Sequence, residues 1–465
     1  MTAVRLTLGW VAQATGGRLR SGNPDLEVAD VTTDSRALRT GDLFVALRGP
    51  RFDGHAFAAD VLARGAAGAV VDHVDGAVAD AAGVIQVADT LAGLQALARA
   101  VREAVATKVI AITGSAGKTT TKDTIAELLG TRFRVVKNKG NLNNHIGLPL
   151  SLMQLRTEPD VAVMELGMNH AGEISTLVAI ADPEVRVWTN VGDAHLGFFA
   201  SADAIADAKA EILEAADTTD VLVCNADDAR VMVRARRFAG RTVTFGVAPG
   251  ATVRAFGVEE LGLDGMRASI VTPAGEARIE TPLLGRGNLS NVLAATAVAI
   301  EFGVPLNEVV AGAARLRPAD RRGAVRRLRG RVTVVDDSYN SSPSALRRAL
   351  EVIAHEAHAE RKIAVLGEML ELGVHATDLH ADCGRAAAEA RIDELFAIGG
   401  PAAQALARAA VDAGLPSASV HYIEKSDDAA PIVAAAIRPG DLVLVKGSRG
   451  TRTDVIADRV VAEFA

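Results

Sequence analysis

Ile112-Thr113-Gly114-Ser115-Ala116-Gly117-Lys118-Thr119-Thr120 is the stretch whose reading decides the fold. It lies between an apolar run at 109–112, which reads as a strand, and a segment of helical periodicity. Glycines there let backbone N–H groups wrap phosphate oxygens at a helix N-terminus. Lys118 adds a point charge, and the Thr119 hydroxyl can hold Mg²⁺. The first glycine falls at 114 and position 112 is Ile, so this is not a strict Walker A sequence. A helix start with incidental glycines is the plain alternative; the strand before and the helix after favour a phosphate site.

Outward from this loop, apolar runs at 109–112, 161–164, 185–188 and 221–224 alternate with helical patterns. That alternation predicts an α/β fold built on a doubly wound, mostly parallel sheet. A polar stretch at about 247–280 reads as a small antiparallel insertion, and 288–300 as a helix. A basic, proline-containing stretch, 315–323, reads as a hinge. Beyond it the pattern restarts, with strands expected at 332–335, 363–366, 395–398, 420–423 and 442–445. Their spacing predicts a separate Rossmann-like domain. No Gly-x-Gly-x-x-Gly follows its first strand, so no dinucleotide is assigned. Before the loop, residues 1–88 form short segments, among them a strand at 42–47, and 91–105 reads as an amphipathic helix. Three domains result: a small α/β domain at 1–88, the central phosphate-loop domain at 89–323 and the Rossmann-like domain at 324–465.

Composition agrees with that count. At roughly 150 residues per domain, 465 residues suggest about three. Hydrophobic residues make up 49%, enough for several cores and incompatible with a disordered chain. With 50 basic against 57 acidic side chains the net charge is −7, and aromatics are few. Nucleic acid and anionic membrane are therefore poor partners. Cys224 and Cys383 are too few for a disulfide framework or a structural zinc site, and read as reduced core residues. No targeting segment and no apolar run of 18 residues is visible, so a cytoplasmic protein is expected.

Glu165 ends the second predicted strand, and His195 follows the third. Both lie at the strand edge where ligands bind in open α/β sheets, and both residue types suit Mg²⁺ near phosphates. Each could equally be a hydrogen-bonded loop residue. Lys209 breaks a local rule: four residues after Ile205 and three before Ile212, it falls on the apolar stripe of a helix. It either snorkels outward or is a lysine placed at the active site. In the third domain, Asp336-Asp337-Ser338-Tyr339-Asn340, Gly367-Glu368-Met369 and Lys446-Gly447-Ser448-Arg449 follow three strands at one sheet edge. They suggest a second ligand-facing surface, or ordinary turn and cap chemistry.

Taken in order, these motifs resemble those of the Mur ligases. The resemblance rests on the loop 113–119, Gly140-Asn141-Leu142-Asn143-Asn144, Glu165-Leu166-Gly167, Ala208-Lys209-Ala210-Glu211-Ile212, the Asp336–Asn340 segment, Gly367-Glu368-Met369-Leu370-Glu371-Leu372-Gly373 and Lys446–Arg449. It extends into the first domain through Thr33-Asp34-Ser35-Arg36 and the segment 53–57. The chain departs from the family at Gly287, Ser341 and Ser342, and at His145.

What the resemblance implies is ATP-dependent amide formation through an acyl phosphate. Its third-domain motifs point to the member that adds D-alanyl-D-alanine to UDP-N-acetylmuramoyl-tripeptide, the last cytoplasmic step of the peptidoglycan precursor peptide. The chain would act as a monomer, without nucleic-acid or membrane partners. Thr113, Gly114, Ser115, Ala116, Gly117, Lys118, Thr119 and Thr120 would cradle the ATP phosphates. Asn288 and Asn291 would lie by the nucleotide, Arg321 by the phosphates and Asp337 near the ribose. Thr119 and Glu165 would bind one Mg²⁺; His195, Glu165 and a carbamylated Lys209 would surround a second. Ser35, Arg36, Asp53 and His55 would hold the uridine diphosphate, and Asn141, Asn143 and Asn144 the sugar-peptide. Tyr339, Asn340, Lys446 and Arg449 would face the incoming amine. Rivals are a diamino-acid-adding or folylpolyglutamate-synthetase-like ligase, or a non-catalytic nucleotide switch.

Overall fold

A computed structural model of the chain describes residues 4–50, 52–74, 76–79, 81–193, 196–356 and 359–465. Its centre is a nine-stranded sheet. The strand Lys108–Thr113 lies between Val161–Glu165, with Val135–Lys137 beyond it, and Val185–Trp188. On that second side follow Val221–Asn225, Arg241–Gly246 and Val253–Glu260. All these neighbours pair in parallel. Strands buried on both faces read as continuous apolar runs, which is why they were legible as such. Val109 and Ala111 enter one core while Ile110 and Ile112 enter the opposite one.

The expected antiparallel piece consists of Met266–Thr272 and Gly275–Thr281, paired onto Val253–Glu260. It extends the main sheet rather than standing apart from it. Because the sheet is built outward in both directions from Lys108–Thr113, the C-terminal end of that strand opens at a topological switch point. The phosphate loop sits there.

Residues 18–86 carry a five-stranded sheet, in which the expected strand at 42–47 shortens to Leu43–Val45. The helix Thr90–Glu103, capped by Asp89 accepting from the Ala92 N–H, buries Leu94, Leu97, Ala98 and Val101. Those side chains share one core with Val45, Val70 and Ile85 of the first sheet and with Met164 and Trp188 of the central one.

Residues 324–446 carry a six-stranded sheet. Five strands are parallel, in the order Thr333–Asp337, Asp441–Lys446, Arg361–Gly367, Glu394–Ile398, Val420–Ile423. Ala324–Arg327 adds an antiparallel edge. Asp441–Lys446, last in sequence, lies inside the sheet, so Asp337 and Lys446 stand in register at its C-terminal edge. Among the described residues no helix is long and apolar enough to cross a membrane.

Candidate active site

Two glycines shape the phosphate loop. Gly114 (φ +150°) and Gly117 (φ +84°) adopt conformations that side chains disfavour. A Cβ at Gly114 would lie 1.9 Å from Thr189 Oγ1, and one at Gly117 would lie 2.2 Å from Asn291 Oδ1. Asn190, just past the strand Val185–Trp188, clamps the loop. Its Oδ1 accepts from the Ala116 N–H (2.9 Å), its Nδ2 donates to the Ala116 carbonyl (3.0 Å), and its own carbonyl accepts from the Ser115 N–H (3.0 Å). The helix Lys118–Leu129 starts without a side-chain cap. The N–H groups of its first turn are thus left for an anion.

Lys118 Nζ donates to the Gly114 carbonyl at 2.7 Å. Burial holds its ammonium below the ordinary lysine range; Glu165 opposes that shift and the Arg322 charge adds to it. Arg321 and Arg322 part company here. The Arg321 guanidinium turns to Asp458 (2.9 Å) and the Asp454 carbonyl, on the helix Asp454–Phe464. Arg322 is the one whose field reaches Lys118, and it stacks over the Tyr339 ring at 4.2 Å. The structure therefore does not bring Arg321 to the phosphate loop, where the resemblance led us to expect it.

Glu165 is buried at the end of Val161–Glu165. Its Oε2 accepts from Thr119 Oγ1 (2.8 Å) and its Oε1 from Asn143 Nδ2 (2.8 Å), while Lys122 Nζ stands 3.9 Å from Oε2. A hydroxyl and a carboxylate at hydrogen-bond distance are hard oxygen donors, the kind Mg²⁺ takes. Lys209 does not snorkel. It is 1% exposed beside the fully buried Ile205 and Ile212, in the last turn of the helix Ala202–Ala210. No hydrogen bond or ion pair reaches its ammonium among the described residues. Burial, then the charge of Lys118, push it well below the usual lysine value. The two ammoniums therefore share one field. His195 lies outside the described residues.

Asn288 and Asn291 project from one turn of the helix Gly285–Glu301 and bond to each other at 3.1 Å. Asn291 thereby reaches the loop at Gly117. Across a seam, Asp193 Oδ2 accepts from the Ser344 N–H of the helix Pro343–Ala354 (3.1 Å). The Gly197 N–H donates to the Glu371 carbonyl at 2.8 Å. The third domain is thus docked against the central strand edge.

On that third edge, Lys446 Nζ meets Asp337 Oδ2 at 2.5 Å and the Asn340 carbonyl at 3.1 Å. Asn340 and Arg449 are exposed. Glu368 accepts from the Gly400 N–H at 2.6 Å. His380, fully buried, accepts from the Met369 N–H through Nε2 and meets the Ala376 carbonyl through Nδ1, which fixes its neutral tautomer.

The first domain holds its expected residues apart from these. Arg36 pairs with Asp34, and the Ser35 carbonyl accepts from Arg64. Asp53 accepts from the His55 backbone N–H and approaches its ring Nδ1 (2.6 Å). His55 Nε2 takes the Asp72 N–H, and the ring stacks on His73 at 4.6 Å. His55, Asp72 and His73 cluster within metal-ligand reach, yet both nitrogens of His55 are already engaged. Asn144 Oδ1 accepts from the Gly147 N–H at the start of the helix Gly147–Leu152, and Asn141 is exposed.

Sequence reading missed Lys122, Asn138, Asn190, Asp193 and Arg322. Only Lys122 carried a signal, four residues after Lys118 on the same helix face.

The Mur ligase middle domain matches residues 112–299, the Mur ligase glutamate ligase domain residues 321–449, and the catalytic domain of the Mur ligase family residues 27–106. UDP-N-acetylmuramoyl-tripeptide–D-alanyl-D-alanine ligase of Bacillus subtilis (strain 168) is 32% identical over 461 residues, covering 98% of this chain and 99% of that protein. A crystal structure of MurF from Acinetobacter baumannii is similar with a TM-score of 0.89 at 32% identity, covering 99% of this chain and 100% of that one. MurF ligase from Thermotoga maritima in complex with ADP gives a TM-score of 0.83 at 28% identity, covering 93% and 97%.

Proposed function

The chain belongs to the Mur ligase family, and on that premise we propose that it joins the amine of D-alanyl-D-alanine to the terminal carboxylate of UDP-N-acetylmuramoyl-tripeptide, cleaving ATP to ADP and phosphate. One observation carries this reading. An uncapped glycine loop with Lys118, Glu165 and Lys209 around it is docked, through Asp193 and Ser344, against the edge bearing Asp337, Asn340 and Lys446.

The tripeptide carboxylate attacks the γ-phosphorus of ATP, the bond to the bridging oxygen breaks, and ADP leaves. The amine then attacks the acyl phosphate, loses a proton, and the tetrahedral intermediate expels phosphate. A carboxylate is a poor electrophile, so the first step is what makes the second possible. The chain's part is positioning and charge neutralisation. The first-turn N–H groups and Lys118 hold the phosphates, and Arg322 adds charge from the third-domain side. Asn291 and Asn288 lie by the nucleotide. Tyr339, Asn340, Lys446 and Arg449 line the amine side, and Asp337 lies near the ribose. Docking of the third domain excludes water from the acyl phosphate.

Thr119 and Glu165 fit Mg²⁺, which would neutralise phosphate charge at that point. Lys209 fits a metal site only as a carbamate, an anion with oxygen donors, which also removes the buried ammonium. His195 is assigned beside it on the family pattern alone. In the first domain, Ser35, Arg36, Asp53 and His55 are assigned to the uridine diphosphate. We place the protein in the cytoplasm, consistent with its buried free thiols at Cys224 and Cys383.

The test is phosphate release from ATP with UDP-sugar tripeptide, with and without D-Ala-D-Ala. Release that depends on D-Ala-D-Ala is expected. Release driven instead by a diamino acid, a glutamate or no amine at all would overturn the assignment.

A further inference from the structure

Asn138 follows the edge strand Val135–Lys137, whose ladder with Val161–Glu165 ends at Lys137↔Val163. Its side chain continues that ladder. Oδ1 accepts from the Glu165 N–H (3.1 Å), and Nδ2 donates to the Glu165 carbonyl (3.1 Å) and to the Leu142 carbonyl (3.0 Å). The Asn138 backbone carbonyl accepts from Lys122 Nζ at 3.1 Å. Asn138 is 1% exposed and Lys122 is 2% exposed.

Burying a lysine is costly unless it is well paired, and burial does push this ammonium below its ordinary value. Its nearest carboxylates, Glu165 and Asp123, stand at 3.9 and 4.0 Å, so neither makes a close ion pair. What Lys122 does make is a tie. It lies one turn beyond Lys118 on the helix that the phosphate loop starts, and it ends on the first residue of the segment 138–144. The far end of that segment is tied to the same place, through Asn143 Nδ2 to Glu165 Oε1 and the Gly167 N–H to the Asn143 carbonyl, both at 2.8 Å. Between the two ties the tip, Asn141 and Leu142, is exposed.

We propose that Lys122 and Asn138 are positioning residues that fix the 138–144 segment against the phosphate loop, so that the carboxylate of the acyl substrate meets the γ-phosphoryl of ATP at reacting distance. This rests on the function proposed above. Displacing a reactant by about 1 Å can lower a rate about 10²-fold, and a tip held at both ends through one strand end is a device against such drift.

The experiment uses the full chain, with Lys122→Met, Lys122→Arg and Asn138→Ala. Each is assayed for the KM of UDP-sugar tripeptide, ATP and D-Ala-D-Ala, for calorimetric ADP affinity and for melting temperature. Lys122→Met and Asn138→Ala are expected to raise the UDP-sugar tripeptide KM and lower kcat, together at least about 10-fold in kcat/KM. ADP affinity and the D-Ala-D-Ala KM should stay within about threefold of wild type, and Lys122→Arg, which keeps a donor, should recover part of the loss. Equal losses for all three substrates, or a lower melting temperature with unchanged kinetics, would overturn the proposal. If the variants do not fold, hydrogen exchange on the wild type decides. UDP-sugar tripeptide alone should protect the amides of 140–144, and unchanged exchange there overturns the proposal. Wild type that forms no amide product overturns the function itself, whereas active wild type with kinetically silent variants overturns only the positioning role.

Discussion

The C-terminal edges of the central and third sheets treat buried charge in opposite ways. On the central edge Lys118 and Lys122 share the Glu165 carboxylate, with Asp123 4.0 Å from Lys122, and the Lys209 ammonium, in the field of Lys118, meets no partner among the described residues. On the third edge Lys446 closes on Asp337 at 2.5 Å, Arg321 on Asp458 at 2.9 Å, and Glu368 on a backbone N–H. A surplus of buried positive charge prepares a site for a polyanion. An edge already neutral suits a zwitterion, which brings one charge of each sign. Each edge is thus matched to its proposed substrate, ATP at one and a dipeptide at the other.

The sharpest way to break that contrast is to remove charge from the central edge. Lys118→Ala is expected to lower kcat at least about 10²-fold with an unchanged melting curve, because it deletes a preorganised charge from a ligand-facing loop. A near-normal rate would end the phosphoryl-transfer assignment. Lys209→Ala should lose most activity as well, with Lys209→Arg giving no rescue and added formate restoring some rate by filling the vacated space. The nucleotide-free Lys209→Met protein should melt no lower than wild type, since it loses a buried cation that meets no partner among the described residues. A fully active Lys209→Arg would show the residue to be structural.

On the third edge the order of effects should reverse. Asp337→Ala leaves the buried Lys446 ammonium without its carboxylate, held by the Asn340 carbonyl, and should destabilise the fold by about 2 kcal/mol in denaturant unfolding. That is below the roughly 3–5 kcal/mol of a wholly buried pair, because Asp337 keeps some exposure. Asn340→Ala, at an exposed position, should leave stability alone and raise the KM for D-Ala-D-Ala far more than that for ATP. Equal changes in both would erase the division of labour.

The smallest effect concerns pH. Burial holds His380 below the ordinary histidine pKa, and the neutral ring accepts the Met369 N–H. A folded value below the unfolded one means this stability is present above about pH 6.5 and is lost as pH falls through the folded pKa. Melting curves between pH 7.5 and 5 should fall more steeply for wild type than for His380→Asn, by at most about 1.4 kcal/mol per pH unit. Parallel curves would sever the histidine from the Gly367–Gly373 segment.

Much of this is legible in the chain itself. The buried parallel strands at 161, 185 and 221 appeared within a residue of their observed ends, because both faces demand apolar side chains. Lys209 was marked as anomalous by helical phase alone. The strands Val135–Lys137, Arg241–Gly246 and Ala324–Arg327 were not foreseen: each is short or polar, and two of them lie at sheet edges. Asn138 and Asn190 escaped notice because an asparagine's partners are backbone groups that only the fold brings to it. Arg321 and Arg322 cannot be told apart by composition. The left-handed backbone of Arg321 (φ +56°) turns adjacent guanidiniums in different directions, and no local pattern announces that turn.

The helix Pro343–Ala354 does not cap itself: Ser342, at its N-cap, makes no side-chain bond to it, and the carboxylate that accepts its Ser344 N–H is Asp193 of another domain. An N-cap contributes about 1 kcal/mol, so moving the domains apart frays this helix, and a frayed helix in turn favours separation about fivefold. The equilibrium between docked and undocked domains is therefore written into the hydrogen exchange of a single helical turn. Any ligand that bridges the seam should slow exchange there, at a distance from its own contacts.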